Sequence, residues 1–228
     1  MSRGTPFDLV IFDLDGTLVD SLPDIAAALN ATRREAGHPD LPVDAIERFV
    51  GDGAARLIAR AFATDLPDNL PDSQSAALLA RFMAFYSARV CVKSRLYPGI
   101  REMVTALGEA GVTLAVLTNK PGTLARELLE ALGLRDRFRD VIGDGDGSPR
   151  KPDATAARLL MARAGVPAER TAVVGDGIPD LRMASAIPCH SIAAAWGYSQ
   201  TAVLVAEHPS FLAASVEEAW RILSKSPA

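Results

Sequence analysis

Apolar, β-branched runs alternate with amphipathic stretches along most of this 228-residue chain, and this alternation constrains the fold more than any other feature. From Tyr97 onward, runs of strand length follow stretches whose apolar residues recur at helical spacing. Such alternation is typical of α/β proteins, in which helices connect the strands of a parallel sheet. The pattern predicts helices at residues 99–110, 122–132, 154–164 and 216–223, and strands at residues 112–118, 140–143, 172–175 and 190–195.

An earlier apolar run, residues 9–12, ends in two carboxylates, Asp13 and Asp15, followed by Gly16. Side chains alternate across a strand, so Asp13 and Asp15 project to the same side, and Gly16 permits a sharp turn beside them. Two like charges this close repel, and the pair is tolerated where a cation neutralises it or one carboxyl stays protonated and acts as an acid. The alternative is a strand followed by a solvated Asp-Gly turn. Two carboxylates and a glycine turn at the end of an apolar strand favour phosphoryl chemistry over that alternative.

Polar groups that suit a phosphate occur at two later points in the chain. Thr118 and Asn119 end the predicted strand at residues 112–118, where a hydroxyl and free N–H groups could hold phosphoryl oxygens or could only cap a helix. Lys151 stands immediately before a proline that opens a predicted helix. Its ammonium could neutralise both a nucleophile and a phosphate, although most lysines are merely solvated.

Two more acids, Asp176 and Asp180, follow the predicted strand at residues 172–175. Carboxylates at this end of a strand can supply the oxygen ligands that Mg2+ requires. Asp180 could instead cap the helix that follows. In an open parallel sheet, ligands bind beyond the carboxyl ends of the strands, so all these residues can converge on one site.

Residues 21–94 differ from the rest, because apolar residues recur there almost only at helical spacing. The pattern predicts helices at residues 23–37, 43–50, 54–63 and 73–92, forming a helical domain inserted between residues 1–20 and residues 95–228 of the α/β domain. Within it, Gly51 and Gly53 flank Asp52. These glycines could present backbone amides to a small anion, with Arg56 as a carboxylate partner. Equally, they could only separate two helices beside a solvated Arg56.

Composition limits the possible partners and location. A net charge of −4 argues against nucleic acid, and no stretch is long enough to span a bilayer. The first residues lack the apolar region of a signal peptide, so a cytoplasmic location is expected. Cys91 and Cys189 lack metal-ligand spacing, and we expect them to be inert thiols.

Four segments in the order just given resemble the four motifs of the haloacid dehalogenase (HAD) superfamily of phosphohydrolases: residues 13–21, 118–121, 151–152 and 175–180. The resemblance implies an α/β, Rossmann-like parallel-sheet core with an inserted all-helical cap that selects the substrate. It implies Asp13 as nucleophile and Asp15 as general acid and base. The phosphate would be bound by Thr118, Asn119 and Lys151. The cofactor would be Mg2+, held by Asp13, the backbone carbonyl of Asp15, Asp176 and, through water or less directly, Asp180.

Within this superfamily, the stretches at residues 49–57, 97–99, 118–121 and 196–198 resemble the phosphoglycolate phosphatase branch. This implies a monomeric or homodimeric enzyme that hydrolyses 2-phosphoglycolate or a similar small phosphorylated metabolite, with Gly51, Gly53 and Arg56 as candidate substrate-binding residues. Related enzymes act on sugar phosphates, amino-sugar phosphates or pyrophosphate, and the sequence leaves these substrates as alternatives.

Three other functions fit the residues less well. A dehalogenase has no use for Asp15 as an acid or for the further acids that would hold Mg2+. The hexose-phosphate mutase branch carries a histidine twelve residues after its nucleophile, and that position here is Ile25. A receiver-like module that is phosphorylated on aspartate without turnover keeps its acceptor in mid-chain and needs no cap. Asp15 favours an enzyme, because an acid/base group is useful chiefly for turnover.

Overall fold

A computed structural model describes residues 5–63 and 71–224, and the described residues form a six-stranded sheet, a two-stranded sheet and the helices around them. The strands are β1 (Leu9–Phe12), β2 (Val19–Asp20), β3 (Arg95–Leu96), β4 (Thr113–Pro121), β5 (Asp140–Asp144), β6 (Thr171–Gly175), β7 (His190–Ala194) and β8 (Phe211–Ala213). The helices are α1 (Leu22–Glu35), α2 (Val43–Glu47), α3 (Ala54–Ala63), α4 (Asp72–Ser87), α5 (Ile100–Glu109), α6 (Gly122–Ala131), α7 (Thr155–Ala164), α8 (Ile178–Ser185), α9 (Thr201–Ala206) and α10 (Val216–Ser224).

The large sheet has the order β5-β4-β1-β6-β7-β8, and every adjacent pair in it is parallel. Strand β1 lies inside the sheet and is buried on both faces, which explains its unbroken apolar sequence. Val10 and Phe12 pack in the cluster that includes α5, α6 and α10, whereas Leu9 and Ile11 pack against α7 and α8. Because all six strands are parallel, the residues after β1, β4 and β6 meet at one edge.

Helices α1 to α4 pack around an apolar cluster that contains Leu29, Ile58 and Phe62. Strands β2 and β3 pair antiparallel, with Val19 opposite Leu96, where the chain leaves the sheet for these helices and returns from them. We call α1 to α4 and their connections the cap. No helix among the described residues has the length and apolar character needed to cross a membrane.

The predicted fold class, a Rossmann-like α/β core with helices, is confirmed. Three cap helices end earlier than predicted, at Glu35, Glu47 and Ser87. After Glu47 the chain continues in tight turns, in which the Val50 N–H bonds the Glu47 carbonyl. Sequence periodicity missed the short elements α9 and β8. The predicted domain ranges stay a prediction, and they include residues 1–4, 64–70 and 225–228, which lie outside the described residues.

Candidate active site

Four ionisable side chains meet at the carboxyl edge of the sheet. Asp13 directly follows β1, Asp176 directly follows β6, Asp180 lies in the first turn of α8, and Lys151 lies between β5 and α7. All four are buried, with exposed fractions between 2% and 8%. The Lys151 ammonium lies 2.8 Å from Asp13 Oδ1 and 2.6 Å from Asp180 Oδ1. The sequence-predicted convergence of these residues on one site is therefore present in the structure.

The cluster holds three carboxylates against one ammonium. Burial, together with the nearby charges of Asp13 and Asp180, raises the pKa of Asp176 to about 8. Burial also raises the pKa of Asp180 to about 6, although Lys151 acts in the opposite direction. Burial alone would lower the pKa of Lys151, but Asp13 and Asp180 raise it well above its usual range. A second cation would relieve this excess of negative charge.

The donor set fits a hard divalent cation. Asp13, Asp176 and Asp180 each offer a carboxylate oxygen, and these atoms lie within 4.8 Å of one another. Asp13 Oδ1 is buried and, although it is ion-paired with the nearby ammonium, no described residue gives it a well-aligned hydrogen bond. Carboxylate oxygens are the ligands that Mg2+ prefers. The side chain of Asp15 is not part of this cluster.

Neutral groups orient the two acids that follow β6. Asp176 accepts hydrogen bonds from the Thr17 hydroxyl at 2.8 Å and from the Tyr198 backbone N–H at 2.9 Å. Asp180 accepts one from the Gly177 backbone N–H at 3.1 Å, inside the same helical turn. Gly16 has φ +85°, and any side chain there would overlap the Asp176 carboxylate. The Asp-Gly dipeptide therefore gives both a left-handed turn and space for the neighbouring acid.

Asp15 lies in a different environment from Asp13. Its Oδ1 accepts a hydrogen bond from the Ser21 hydroxyl at 2.6 Å, and both of its carboxylate oxygens lie 3.1 Å from Lys120 Nζ. Two carboxylates that share a strand end are thus held by different lysines, Lys151 for Asp13 and Lys120 for Asp15. Separate environments allow two such groups to take separate chemical roles.

Thr118 and Asn119 both lie at this edge, and both are 4% exposed. The Asn119 side chain accepts a hydrogen bond from the Lys151 N–H at 2.9 Å and donates to the Lys151 and Gly51 carbonyls at 3.2 and 3.1 Å. Asn119 therefore positions the lysine and joins the cap to the core. Because its side-chain amide is used in this way, any bond from Asn119 to a phosphoryl oxygen would come from its backbone.

A cleft of about 350 Å³ separates the cap from the acids. Its lining includes Asp13, Asp15, Asp176, Asp180, Arg48 and Gly51. A smaller cavity of about 50 Å³ extends between the core and the cap, and we call it the side cavity. Its lining includes Asp13, Asp15, Gly51, Gly53, Lys120 and Tyr86.

The two cap glycines line these spaces, whereas Arg56 does not. Gly53 has φ +89°, and a Cβ there would come within 2.8 Å of Arg150 Nη1, so the loop packs closely on the core. Arg56 is exposed and belongs to the lining of neither cavity, and Asp52 pairs with Arg60 instead. This geometry does not support the expectation that Arg56 contacts a substrate carboxylate.

No motif in the sequence marked Lys120, Tyr86, Thr17 or Ser21 as site residues. For Lys120 a signal was available, because residues two apart on a strand share a face and Lys120 is two residues beyond Thr118. The partner of Lys120 in the cap, Tyr86, is distant in sequence, and no local pattern connects the two.

Comparison with known proteins identifies relatives in sequence and in fold. The family model described as haloacid dehalogenase-like hydrolase matches residues 7–187. Phosphoglycolate phosphatase of Rhodospirillum rubrum is 42% identical over 197 residues, which cover 85% of this chain and 82% of the relative. Phosphoglycolate phosphatase of Vibrio vulnificus is 37% identical, covering 92% of this chain and 93% of the relative. A crystal structure from Haemophilus somnus, described as a predicted phosphoglycolate phosphatase, superimposes with a TM-score of 0.89 at 28% identity, covering 97% of this chain and 99% of that one.

The parallel sheet with acids at its carboxyl edge, together with these relatives, marks the chain as a hydrolase with an α/β fold. The chain belongs to the haloacid dehalogenase-like hydrolase family. The resemblance predicted from four short motifs, including the phosphoglycolate phosphatase-like branch, is confirmed.

Proposed function

We propose that the chain is a Mg2+-dependent phosphomonoester hydrolase that works through an aspartyl-phosphate intermediate, with 2-phosphoglycolate or a similar small phosphorylated metabolite as substrate. The observation that carries the proposal is the division between Asp13, which lies beside Lys151 and the metal-binding acids, and Asp15, which faces the cleft beside Lys120. A nucleophile and a separate acid/base group are what two-step hydrolysis needs. The names of the relatives support the substrate.

In the first step, an Asp13 carboxylate oxygen attacks phosphorus, and the bond between phosphorus and the ester oxygen breaks. Asp15, protonated, gives its proton to that leaving oxygen, so the alcohol departs uncharged. Lys151 and Thr118 hold the phosphoryl oxygens, and Lys151 also neutralises the nucleophile before attack. Fixed charges at this buried edge supply most of the acceleration by positioning and charge stabilisation.

In the second step, Asp15 accepts a proton from water while the water oxygen attacks phosphorus. The bond from Asp13 to phosphorus breaks, inorganic phosphate leaves, and the Asp13 carboxylate is restored. Asp13, Asp176, the Asp15 carbonyl and less directly Asp180 would hold Mg2+, which would supply neutralising charge for the phosphoryl oxygens. Closure of the cap over the cleft excludes bulk water in the first step. A cytoplasmic monomer or homodimer stays a prediction.

A panel of small phosphate compounds assayed with Mg2+ tests the proposal. The panel contains 2-phosphoglycolate, sugar phosphates, amino-sugar phosphates and pyrophosphate, ranked by kcat/KM. We expect 2-phosphoglycolate to rank first, activity to vanish in Asp13→Asn, and activity to persist in Asp44→Asn, the same change at an exposed carboxylate. If another phosphate ranked first, the substrate assignment would be replaced. If no member of the panel were hydrolysed, the proposed phosphatase activity itself would be excluded.

A further inference from the structure

Lys120 is a core residue whose charged end lies against the cap. Its side chain is 2% exposed, and Nζ donates a hydrogen bond to the Tyr86 hydroxyl of α4. The same nitrogen lies 4.4 Å from the centre of the Tyr86 ring. It also lies 3.1 Å from each oxygen of Asp15. The ammonium is therefore fixed between the proposed acid/base group and the cap wall.

The side cavity beside this ammonium is largely apolar. Among the described residues that line it, Lys120 carries the one basic side chain. The cap contributes most of the rest: Ile25, Val50, Ala54, Leu57, Phe82 and Met83. Water screens charges poorly in such surroundings, so a buried ammonium attracts an anion more strongly here than at the protein surface. Because Asp13 and Asp15 also line the cavity, Lys120 is, among these described residues, its single site for a negative group, and that site lies beside Asp15.

The position of Lys120 relative to Asp15 determines which substrate atom it can meet. In the proposed reaction Asp15 gives its proton to the leaving oxygen, so that oxygen lies beside Asp15. Atoms one or two bonds beyond it then lie next to Lys120 Nζ, which contacts both Asp15 oxygens. An ammonium has three N–H donors, and here they meet three acceptors, the two Asp15 oxygens and the Tyr86 hydroxyl. A substrate carboxylate oxygen would therefore take the place of one Asp15 oxygen when Asp15 carries its proton.

We propose that Lys120 is a specificity-determining residue that binds the carboxylate of a small 2-phosphorylated acid, and that Tyr86 fixes its ammonium from the cap. This inference rests on the proposed function and names the side chain that recognises the substrate class. It replaces Arg56, which lines neither cavity, as the carboxylate partner.

A purely structural Lys120 would behave differently from a carboxylate-binding one. If Lys120 only held Asp15, its loss would slow hydrolysis of every phosphomonoester whose leaving group needs a proton by the same factor. If it also bound the carboxylate, substrates that carry this group would suffer an additional loss. The ratio of kcat/KM values for two matched substrates separates these cases.

The test compares 2-phosphoglycolate with ethyl phosphate, which has the same two-carbon length but no carboxylate, in wild type, Lys120→Met and Lys93→Met. Lys93→Met is the matched control, because that lysine is exposed. We expect Lys120→Met to lower the kcat/KM ratio of 2-phosphoglycolate to ethyl phosphate by about ten- to a hundredfold, the effect of one lost charge-assisted contact. Lys93→Met should leave this ratio unchanged. Circular dichroism establishes that each variant is folded.

Equal losses for both substrates in Lys120→Met would overturn the inference. If that variant does not fold, the test uses wild type alone and compares its kcat/KM for 2-phosphoglycolate with its kcat/KM for the uncharged amide of the same acid. A preference below about threefold would then contradict a cationic carboxylate site. If wild type hydrolysed ethyl phosphate and 2-phosphoglycolate with equal kcat/KM, the role of Lys120 would be overturned. The proposed phosphatase activity would not be affected. Wild type that hydrolysed neither, nor any other phosphomonoester, would overturn the proposed function itself.

Discussion

The backbone N–H of Tyr198 donates a hydrogen bond to Asp176 Oδ2 at 2.9 Å. The hydroxyl of the same tyrosine accepts hydrogen bonds from the N–H groups of Ser21 and Leu22 at 2.9 and 3.0 Å, where the first cap helix begins. One residue therefore contacts both the acid cluster and the start of the cap. These two contacts can be separated by mutation, because one uses the backbone and the other uses the side chain.

Tyr198→Phe should destabilise the fold while leaving metal binding nearly unchanged. The change removes the acceptor for two amides at the start of α1, and unsatisfied buried donors cost about 1–3 kcal/mol. The N–H that contacts Asp176 is retained. Urea unfolding measures the first effect, and titration with Mg2+ measures the second. An unfolding free energy equal to that of wild type would show that the hydroxyl does not hold the start of the cap.

Asp24 should make stability depend on pH. Burial alone would raise its pKa, but the hydroxyl of Ser94 and the N–H groups of Ser94, Lys93 and Val92 lower it below 3.8. Because the folded pKa is the lower one, the stabilisation is complete above the unfolded pKa and is lost as pH falls through the folded value. Asp24→Asn should therefore cost about 1–3 kcal/mol near pH 7, and this cost should shrink below about pH 4.

Chemical denaturation of wild type and Asp24→Asn between pH 3 and pH 7 measures this effect. The exposed Asp44→Asn variant is the control, and we expect its unfolding free energy to follow wild type over the whole range. A cost for Asp24→Asn that stayed constant down to pH 3 would contradict a lowered pKa for Asp24.

Metal binding should depend more on Asp176 than on Asp180. The Lys151 ammonium already neutralises Asp180 at 2.6 Å, whereas the hydrogen-bond donors to Asp176, the Thr17 hydroxyl and the Tyr198 N–H, are uncharged. Asp176→Asn should raise the Mg2+ concentration needed for half-maximal activity by about tenfold or more, and Asp180→Asn should raise it less.

The thermal shift produced by Mg2+ checks the metal site without an activity assay. A ligand that binds only the folded state raises Tm, so Mg2+ should raise the Tm of wild type and have little effect on Asp176→Asn. The Asp144→Asn variant, at a half-buried carboxylate outside the acid cluster, should respond like wild type. Equal Mg2+-induced shifts in wild type and Asp176→Asn would remove Asp176 from the metal site.

Asp15→Asn should reveal its role through the leaving group. An amide cannot donate the proton that an alkoxide leaving group needs, so kcat with 2-phosphoglycolate should fall by about a hundredfold or more. Nitrophenyl phosphate has a leaving group that departs without a proton, and its first step should be affected much less. Rapid-mixing measurement of nitrophenol release tests this difference. A similar loss of the first step for both substrates would argue against Asp15 as the acid.

The α/β core was predictable because burial on both faces leaves strands such as β1 continuously apolar, and this pattern stands out in the sequence. The elements that were missed are short. Strand β8 has three residues, of which Phe211 and Leu212 are exposed, so neither length nor alternation marks it. Helix α4 was predicted too long. It ends at Ser87, and further along the Asp24 carboxylate binds the amides of residues 92–94, which keeps those residues out of a helix.

The site residues that lie in recognisable motifs at strand ends could be predicted from the sequence. Their division into two environments could not, because it depends on which lysine meets which acid. Lys120 reaches Asp15 and Lys151 reaches Asp13 across the sheet edge, and these pairs are far apart in sequence. The absence of Arg56 from the lining of either cavity was likewise unpredictable, since the helical position alone does not say which way the cap faces the core.

The most direct test of the account is to locate the phosphoryl group on the protein. Asp15→Asn, mixed with nitrophenyl phosphate and Mg2+, should complete the first step and stall before hydrolysis, because no base activates water. Acid quenching, digestion and mass spectrometry should then find the phosphoryl group on the peptide that contains Asp13, and hydroxylamine should remove it. A phosphorylated residue other than Asp13, or nitrophenol release with no phosphorylated protein at any time, would contradict the account.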